Sequence, residues 1–254
     1  MRSFLAAIFA IFASTSTWAQ TVCPTHQINA INRGQSTWMA GPNFPGYTLE
    51  ELSRRNGARL DPNRQLPLKT PEPVPDIPDT FDARANWPNC ESTSAIRDQG
   101  NCGSCWAFGA AEAMSDRLCI ASHGAVKFEY SPEDILACCT NCGSGCEGGF
   151  SAQAWAFWVS NGVVSGGDYN SNRGCQPYSK SAHEDNVTPK CETTCLNTAH
   201  NVTYNEDKRF GTSNYRISAN VTHIQTEIMT NGPVEGVFTV YEDFFCYRTG
   251  RYGF

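Results

Sequence analysis

The chain has no cluster of five or more lysines and arginines, and its 254 residues carry a net charge of −6 with an isoelectric point near 5.4. That balance excludes the electrostatic footprint of a nucleic-acid binder. It has one long apolar run, Phe4 to Ala13, and no second run of that kind. A permanent membrane-spanning helix needs roughly 20 apolar residues, so no membrane anchor is expected. The run follows Met1-Arg2-Ser3 and precedes Thr17-Trp18-Ala19, the basic, apolar and small-residue order of a secretory signal peptide over residues 1–19. A buried N-terminal helix is the competing reading, but nothing marks a second, polar face. The mature chain is therefore expected in the secretory pathway, lysosomal or extracellular.

Sulfur is abundant. Thirteen cysteines in an oxidising compartment imply disulfides, and an odd count leaves one sulfur unpaired unless it bridges to another molecule. Asn186-Val187-Thr188, Asn201-Val202-Thr203 and Asn220-Val221-Thr222 are candidate glycan acceptors, although three-residue matches also arise by chance.

Residues 20–60 are polar and weakly patterned. Pro67, Pro71, Pro73, Pro75 and Pro78 then make an extended linker and mark a domain boundary. Ser131-Pro132-Glu133-Asp134 opens a helix, with a hydroxyl cap, proline in the first turn and acids facing the dipole. Ala152 to Ser160 makes another helix, stopped by Asn161-Gly162, whose stripe of Trp155, Phe157, Trp158 and Val159 belongs to the core. Ile224 to Met229 makes a third, stopped by Gly232-Pro233, and Val234 to Tyr241 has the branched and aromatic content of a buried strand. Such a strand needs neighbours, and few residues follow it, which suggests that the natural protein continues.

The most informative stretch is Gln99 to Phe108. Gly100 and Gly103 loosen the backbone, while Trp106, Ala110, Ala113 and Leu118 recur at helical spacing, so Cys105 sits where free N–H groups and the helix dipole favour a thiolate. A thiolate, unlike a thiol, is a nucleophile. Cys102 and Cys105 could instead form a redox pair, or bind zinc with Cys139 and Cys142, but a redox pair expects a βαβ setting and structural zinc needs four closed ligands. No metal and no cofactor is expected.

Cys102-Gly103-Ser104-Cys105-Trp106 matches a known nucleophile signature. With Phe81-Asp82-Ala83-Arg84, Cys138-Cys139, Cys146-Glu147-Gly148-Gly149, Val164-Ser165-Gly166-Gly167, Cys175-Gln176-Pro177-Tyr178 and Asn231-Gly232-Pro233-Val234, the chain from about Ile77 onward resembles papain-family cysteine peptidases, most closely the cathepsin B group. Thr37-Trp38-Met39-Ala40-Gly41 resembles the short propeptide of that group, which lies across the cleft and silences the zymogen. The resemblance implies an α+β, two-domain papain-like fold, with a helical domain whose central helix starts at Cys105 and a β-rich domain incomplete here. It divides the chain into residues 1–19, a propeptide with linker over 20–77, and a peptidase domain over 78–254.

By resemblance, Cys105 attacks the scissile carbonyl, Gln99 donates its amide to the oxyanion, and Gly148 and Gly149 pair with substrate backbone. The bland alternatives are a surface amide at Gln99 and a simple turn at the two glycines. The implied partners are peptide or protein substrates, the chain's own propeptide and cystatin-like inhibitors. The family's pairings imply disulfides Cys90 to Cys119, Cys102 to Cys146, Cys138 to Cys191, Cys139 to Cys142 and Cys175 to Cys195. Cys23 and Cys246 have no family counterpart and are left either paired or free.

This chemistry also needs an imidazole to hold the thiolate and protonate the leaving amine. The family places it about 130–150 residues beyond the cysteine, whereas the five histidines are His26, His123, His183, His200 and His223. His183 and His200 read as solvated loop residues. The expectation is a cysteine endopeptidase inactive in the form given, against a rival reading as a non-catalytic peptide- or propeptide-binding decoy. Two departures from the group stand out. Between Cys175 and Cys191 there is no cysteine and only His183, where the group carries a disulfide and a His-His pair for C-terminal trimming, which implies internal cleavage. Glu147 stands where the family usually has a neutral residue.

Overall fold

A computed structural model describes residues 22–34, 37–60, 63 and 65–252. The signal-peptide expectation over residues 1–19 and Pro62 lie outside the described residues. Two compact units form, and their division does not fall at the proline-rich linker: one joins the residues up to Leu49 with those from Glu242 onward, and the other is Glu50–Tyr241.

The first unit contains α1 (Thr25–Gly34), β1 (Trp38–Ala40) and β4 (Tyr247–Gly250). The strands pair antiparallel, Trp38 opposite Gly250 and Met39 opposite Thr249. Asn32 ties the helix to β1 in both directions, donating from Nδ2 to the Ala40 carbonyl at 3.1 Å and accepting from the Ala40 N–H at 2.8 Å. Trp38 is buried against the Tyr252 ring, centroids 5.1 Å apart, and a disulfide joins Cys23 to Cys246. Helix α1 stands in a stretch that sequence patterning left without structure.

The second unit takes in the rest of α2 (Leu49–Arg54), β2 (Leu68–Lys69), α3 (Ala83–Asn86), α4 (Cys105–Ala121), α5 (Pro132–Cys138), α6 (Ser151–Asn161), α7 (Lys180–His183), α8 (Tyr204–Asp207), β3 (Arg216–Ile217) and α9 (Val221–Asn231). Helix α4 is apolar nearly all round. Trp106, Ala107, Phe108, Ala110, Ala111 and Met114 are all buried, as a helix without a polar face must be, and it packs against α5 and α6.

The helix ends follow the capping chemistry of the sequence. Ser131 accepts from the Asp134 N–H at 3.0 Å to start α5, and Asn220 accepts from the His223 N–H at 3.2 Å to start α9. Gly162 (φ +70°) and Gly232 (φ +98°) close α6 and α9 in a conformation that favours glycine.

Two expectations need correction. The aromatic stripe of α6 flanks the core rather than filling it: Trp155, Phe157 and Trp158 are only partly buried, and Ala154 is the fully buried position. Val234 to Tyr241 forms no strand, and Val237, Phe238 and Tyr241 are exposed. The branched and aromatic content of a strand is present, but a strand forms only when a neighbouring segment supplies its ladder bonds. The strands among the described residues are β1 to β4, none longer than four residues, so a β-rich domain is not assembled here.

Candidate active site

Cys105 is the first residue of α4 and is half-buried; it is the free cysteine among the described residues. The others form Cys90–Cys119, Cys102–Cys146, Cys138–Cys191, Cys139–Cys142, Cys175–Cys195 and Cys23–Cys246. With Cys102, Cys139 and Cys142 in disulfides, neither the redox pair with Cys105 nor the zinc cluster forms.

The loop before α4 is pinned from beneath. Ser104 forms no side-chain cap; its hydroxyl pairs with the Tyr178 hydroxyl at 2.9 Å, and Tyr178 donates to the Gln99 carbonyl at 3.0 Å. The Asn101 N–H donates to the His183 carbonyl at 2.8 Å. His183 is therefore a packed support and not a solvated loop residue. Its ring stacks on Tyr169 at 4.6 Å, and its Nε2 lies 3.4 Å from Asp98 Oδ2. Burial opposes ionisation of Asp98, but the Gly100 N–H and His183 overcome it and hold the carboxyl below its usual range. His200 is likewise committed, 3.1 Å from the buried Asp207.

Across the nucleophile lies the chain's own segment Arg55 to Arg59. Gln99 Nε2 donates to the Arg55 carbonyl at 2.9 Å and to the Cys102 carbonyl at 2.7 Å. The Gly149 N–H donates to the Gly57 carbonyl at 2.9 Å and the Arg59 N–H to the Gly149 carbonyl at 2.8 Å, a parallel bridge centred on Ala58 and Gly149. Glycine is required where these chains meet. A Cβ at Gly57 would stand 1.7 Å from the Gly103 carbonyl oxygen, and Gly148, at φ +109°, would meet the Gly57 carbonyl at 2.6 Å. Trp106 floors the cleft: a Cβ at Gly149 would stand 2.5 Å from its ring. The donor Gln99 and the pairing glycine Gly149 are thus brought together beside Cys105, and both are engaged by the pro-segment.

Electrostatics disfavour the thiolate. Burial pushes the Cys105 thiol above its ordinary value, the backbone N–H groups of Gly57, Ala58 and Trp106 offset this in part, and Glu235 adds to it. No imidazole is among these influences. Glu235, which sequence reading missed, accepts from Trp155 Nε1 at 2.7 Å, and burial raises its carboxyl to about 7. Only its interruption of an otherwise apolar run could have flagged it. Beneath α4, Arg97 is almost wholly buried, 2.8 Å from Asp168, and donates to the carbonyls of Tyr130 and Gly166. Burial also raises Glu112, on α4, to about 7, with Arg97 opposing.

A free thiol at a helix mouth, a carboxamide donor beside it and a diglycine edge paired with the chain's own segment make one connected site. Residues 77–253 match the papain family cysteine protease domain and residues 28–62 the peptidase family C1 propeptide, and the chain belongs to the papain family of cysteine proteases. Among its relatives are the Caenorhabditis elegans cathepsin B-like cysteine proteinase 5, 45% identical over 245 residues, and proteinase 6, 50% identical over 255. Both alignments take in 89% of this chain, which spans 71% and 65% of those relatives' lengths. The fold is similar to procathepsin B S9 from Trypanosoma congolense, with TM-score 0.77 and 31% identity over 92% of this chain and 78% of that one.

Proposed function

We propose that this chain is the latent form of a cathepsin B-like cysteine endopeptidase in which Cys105 is the nucleophile and Gln99 the oxyanion donor. The reading rests on one observation above others: the segment from Arg55 to Arg59 occupies the Gln99 amide and the Gly149 edge together.

In turnover, the Cys105 thiolate adds to a substrate carbonyl, and the Gln99 amide and the Cys105 N–H bind the oxygen as it gains charge. One such donor is typically worth about 3–4 kcal/mol of barrier. The leaving amine requires a proton from an imidazole, none of the described histidines is hydrogen-bonded to Cys105, and burial disfavours the thiolate. The 254-residue chain is therefore inactive on this reading. Six disulfides support an oxidising secretory route, lysosomal or extracellular, and the exposed Asn201 and Asn220 suit glycans. Internal cleavage, rather than C-terminal trimming, follows from the lone His183 between Cys175 and Cys191.

The test compares the natural full-length protein, freed of its pro-segment, with the 254-residue chain on a dipeptidyl fluorogenic substrate. The first is expected to turn over and to lose all activity on Cys105→Ala; the second is expected to be silent. Cys105-dependent turnover by the 254-residue chain overturns the latency. The disfavoured thiolate also supports a second reading, a non-catalytic peptide-binding paralogue, which peptide binding without turnover by the full-length protein would establish.

A further inference from the structure

The pro-segment is held at a second place, away from the nucleophile. Strand β2, in the linker, pairs parallel with β3: the Arg216 N–H donates to the Pro67 carbonyl at 2.9 Å and the Ser218 N–H to the Lys69 carbonyl at 3.1 Å. This register sets the Lys69 ammonium 3.0 Å from Glu227 Oε2 and 4.2 Å from the centre of the Tyr215 ring. The Glu227 side chain is completely buried. Its Oε1 accepts from Arg117 Nη1 at 3.0 Å, from the Tyr215 hydroxyl at 2.5 Å and from Asn231 Nδ2 at 3.0 Å. Its Oε2 pairs with the Lys69 ammonium.

A buried carboxylate is costly unless paired. Burial opposes the charge of Glu227, but Tyr215, Lys69 and Arg117 overcome it and keep the carboxyl below its usual range. The pocket supplies its own guanidinium, Arg117, on one oxygen and leaves the other to the Lys69 ammonium, which also lies over the Tyr215 ring. A compact ammonium on a flexible stem fits that remaining place better than a second planar fork does. Beside it, the backbone of Arg216 to Ser218 offers hydrogen bonds to any extended segment in the β2 register.

We propose that β3, Tyr215 and Glu227 form a strand-addition site that reads lysine, filled by Lys69 of the linker in the latent form and open to an extended lysine-bearing peptide once the linker has left. The second half of this statement rests on the latency proposed above; the first does not.

Two measurements test it. In the 254-residue chain, Lys69→Met is expected to speed cleavage of the linker by an added protease about fivefold, with Leu68→Ala, an exposed neighbour, as the unaffected control. Lys69 is partly exposed, so folding survives the change. Equal cleavage of wild type and Lys69→Met overturns the anchor. In the natural protein after processing, with Cys105 alkylated to stop turnover, a peptide of residues 65–70 is expected to bind, seen by calorimetry, and its Lys→Met version at least tenfold more weakly. No binding, or equal affinity of the two peptides, overturns the open site. A protein that never processes refutes the latency instead, and the linker-cleavage measurement still decides the anchor.

Discussion

Helix α4 and the segment from Pro233 to Tyr241 are both rich in apolar residues, yet one is the buried spine of its unit and the other runs along the surface without regular structure. A helix closes its hydrogen bonds within itself, so Cys105–Ala121 needs neighbours only for its side chains. A strand must borrow every ladder bond from another segment, and 233–241 takes up no strand. Apolar content tells how much a segment can bury; the origin of its backbone partners decides whether it does.

The sharpest probe of that contrast is Met114→Ala, which empties a fully buried place on α4 and is expected to cost about 2–5 kcal/mol in chemical denaturation. A loss below about 1 kcal/mol would mean that α4 is not the spine. Next comes Glu133 on the neighbouring α5. Burial raises its carboxyl to about 7 from an ordinary value of 4.5, so the folded state binds the proton more tightly than the unfolded chain. The resulting stability is complete below the ordinary value and fades as pH rises through about 7. Thermal unfolding should therefore shift to lower temperature between pH 5 and pH 8, and Glu133→Gln should remove about 1–3 kcal/mol of that dependence.

A smaller effect is expected at the cleft. Gly57→Ala cannot keep its close approach to Gly103, so iodoacetamide should reach Cys105 about tenfold faster, equivalent to about 1.4 kcal/mol. The smallest belongs to the other side of the comparison: Val237→Ala, on the exposed segment, should stay within about 0.5 kcal/mol of wild type in the 254-residue chain. A larger loss would show that the segment is packed after all.

What could be read from the residues was mostly local. The start of α4 at Cys105, the Ser131 cap and the glycine stops at Gly162 and Gly232 are written in side chains that act on their own backbone. The nucleophile and its donor were legible through a compact motif. Non-local features were not. The packing of His183 under the Gln99 loop depends on α7 reaching back to residues 98–101, some 80 positions earlier, and no period or cap announces that. Helix α1 escaped notice because its apolar side is only Ile28 and Ile31, both partly exposed and too short a stripe to stand out among polar residues.

The bridge between Cys23 and Cys246 gives the polypeptide the topology of a closed hoop. Nicking the linker opens that hoop at one point without parting the molecule, so the inhibitory piece would stay on a leash. Its complete departure calls for a second event, an exchange with two equivalents of a small thiol or a further cut near either sulfur. Maturation of this protein would thereby answer to the reducing power around it as well as to the blade that trims it.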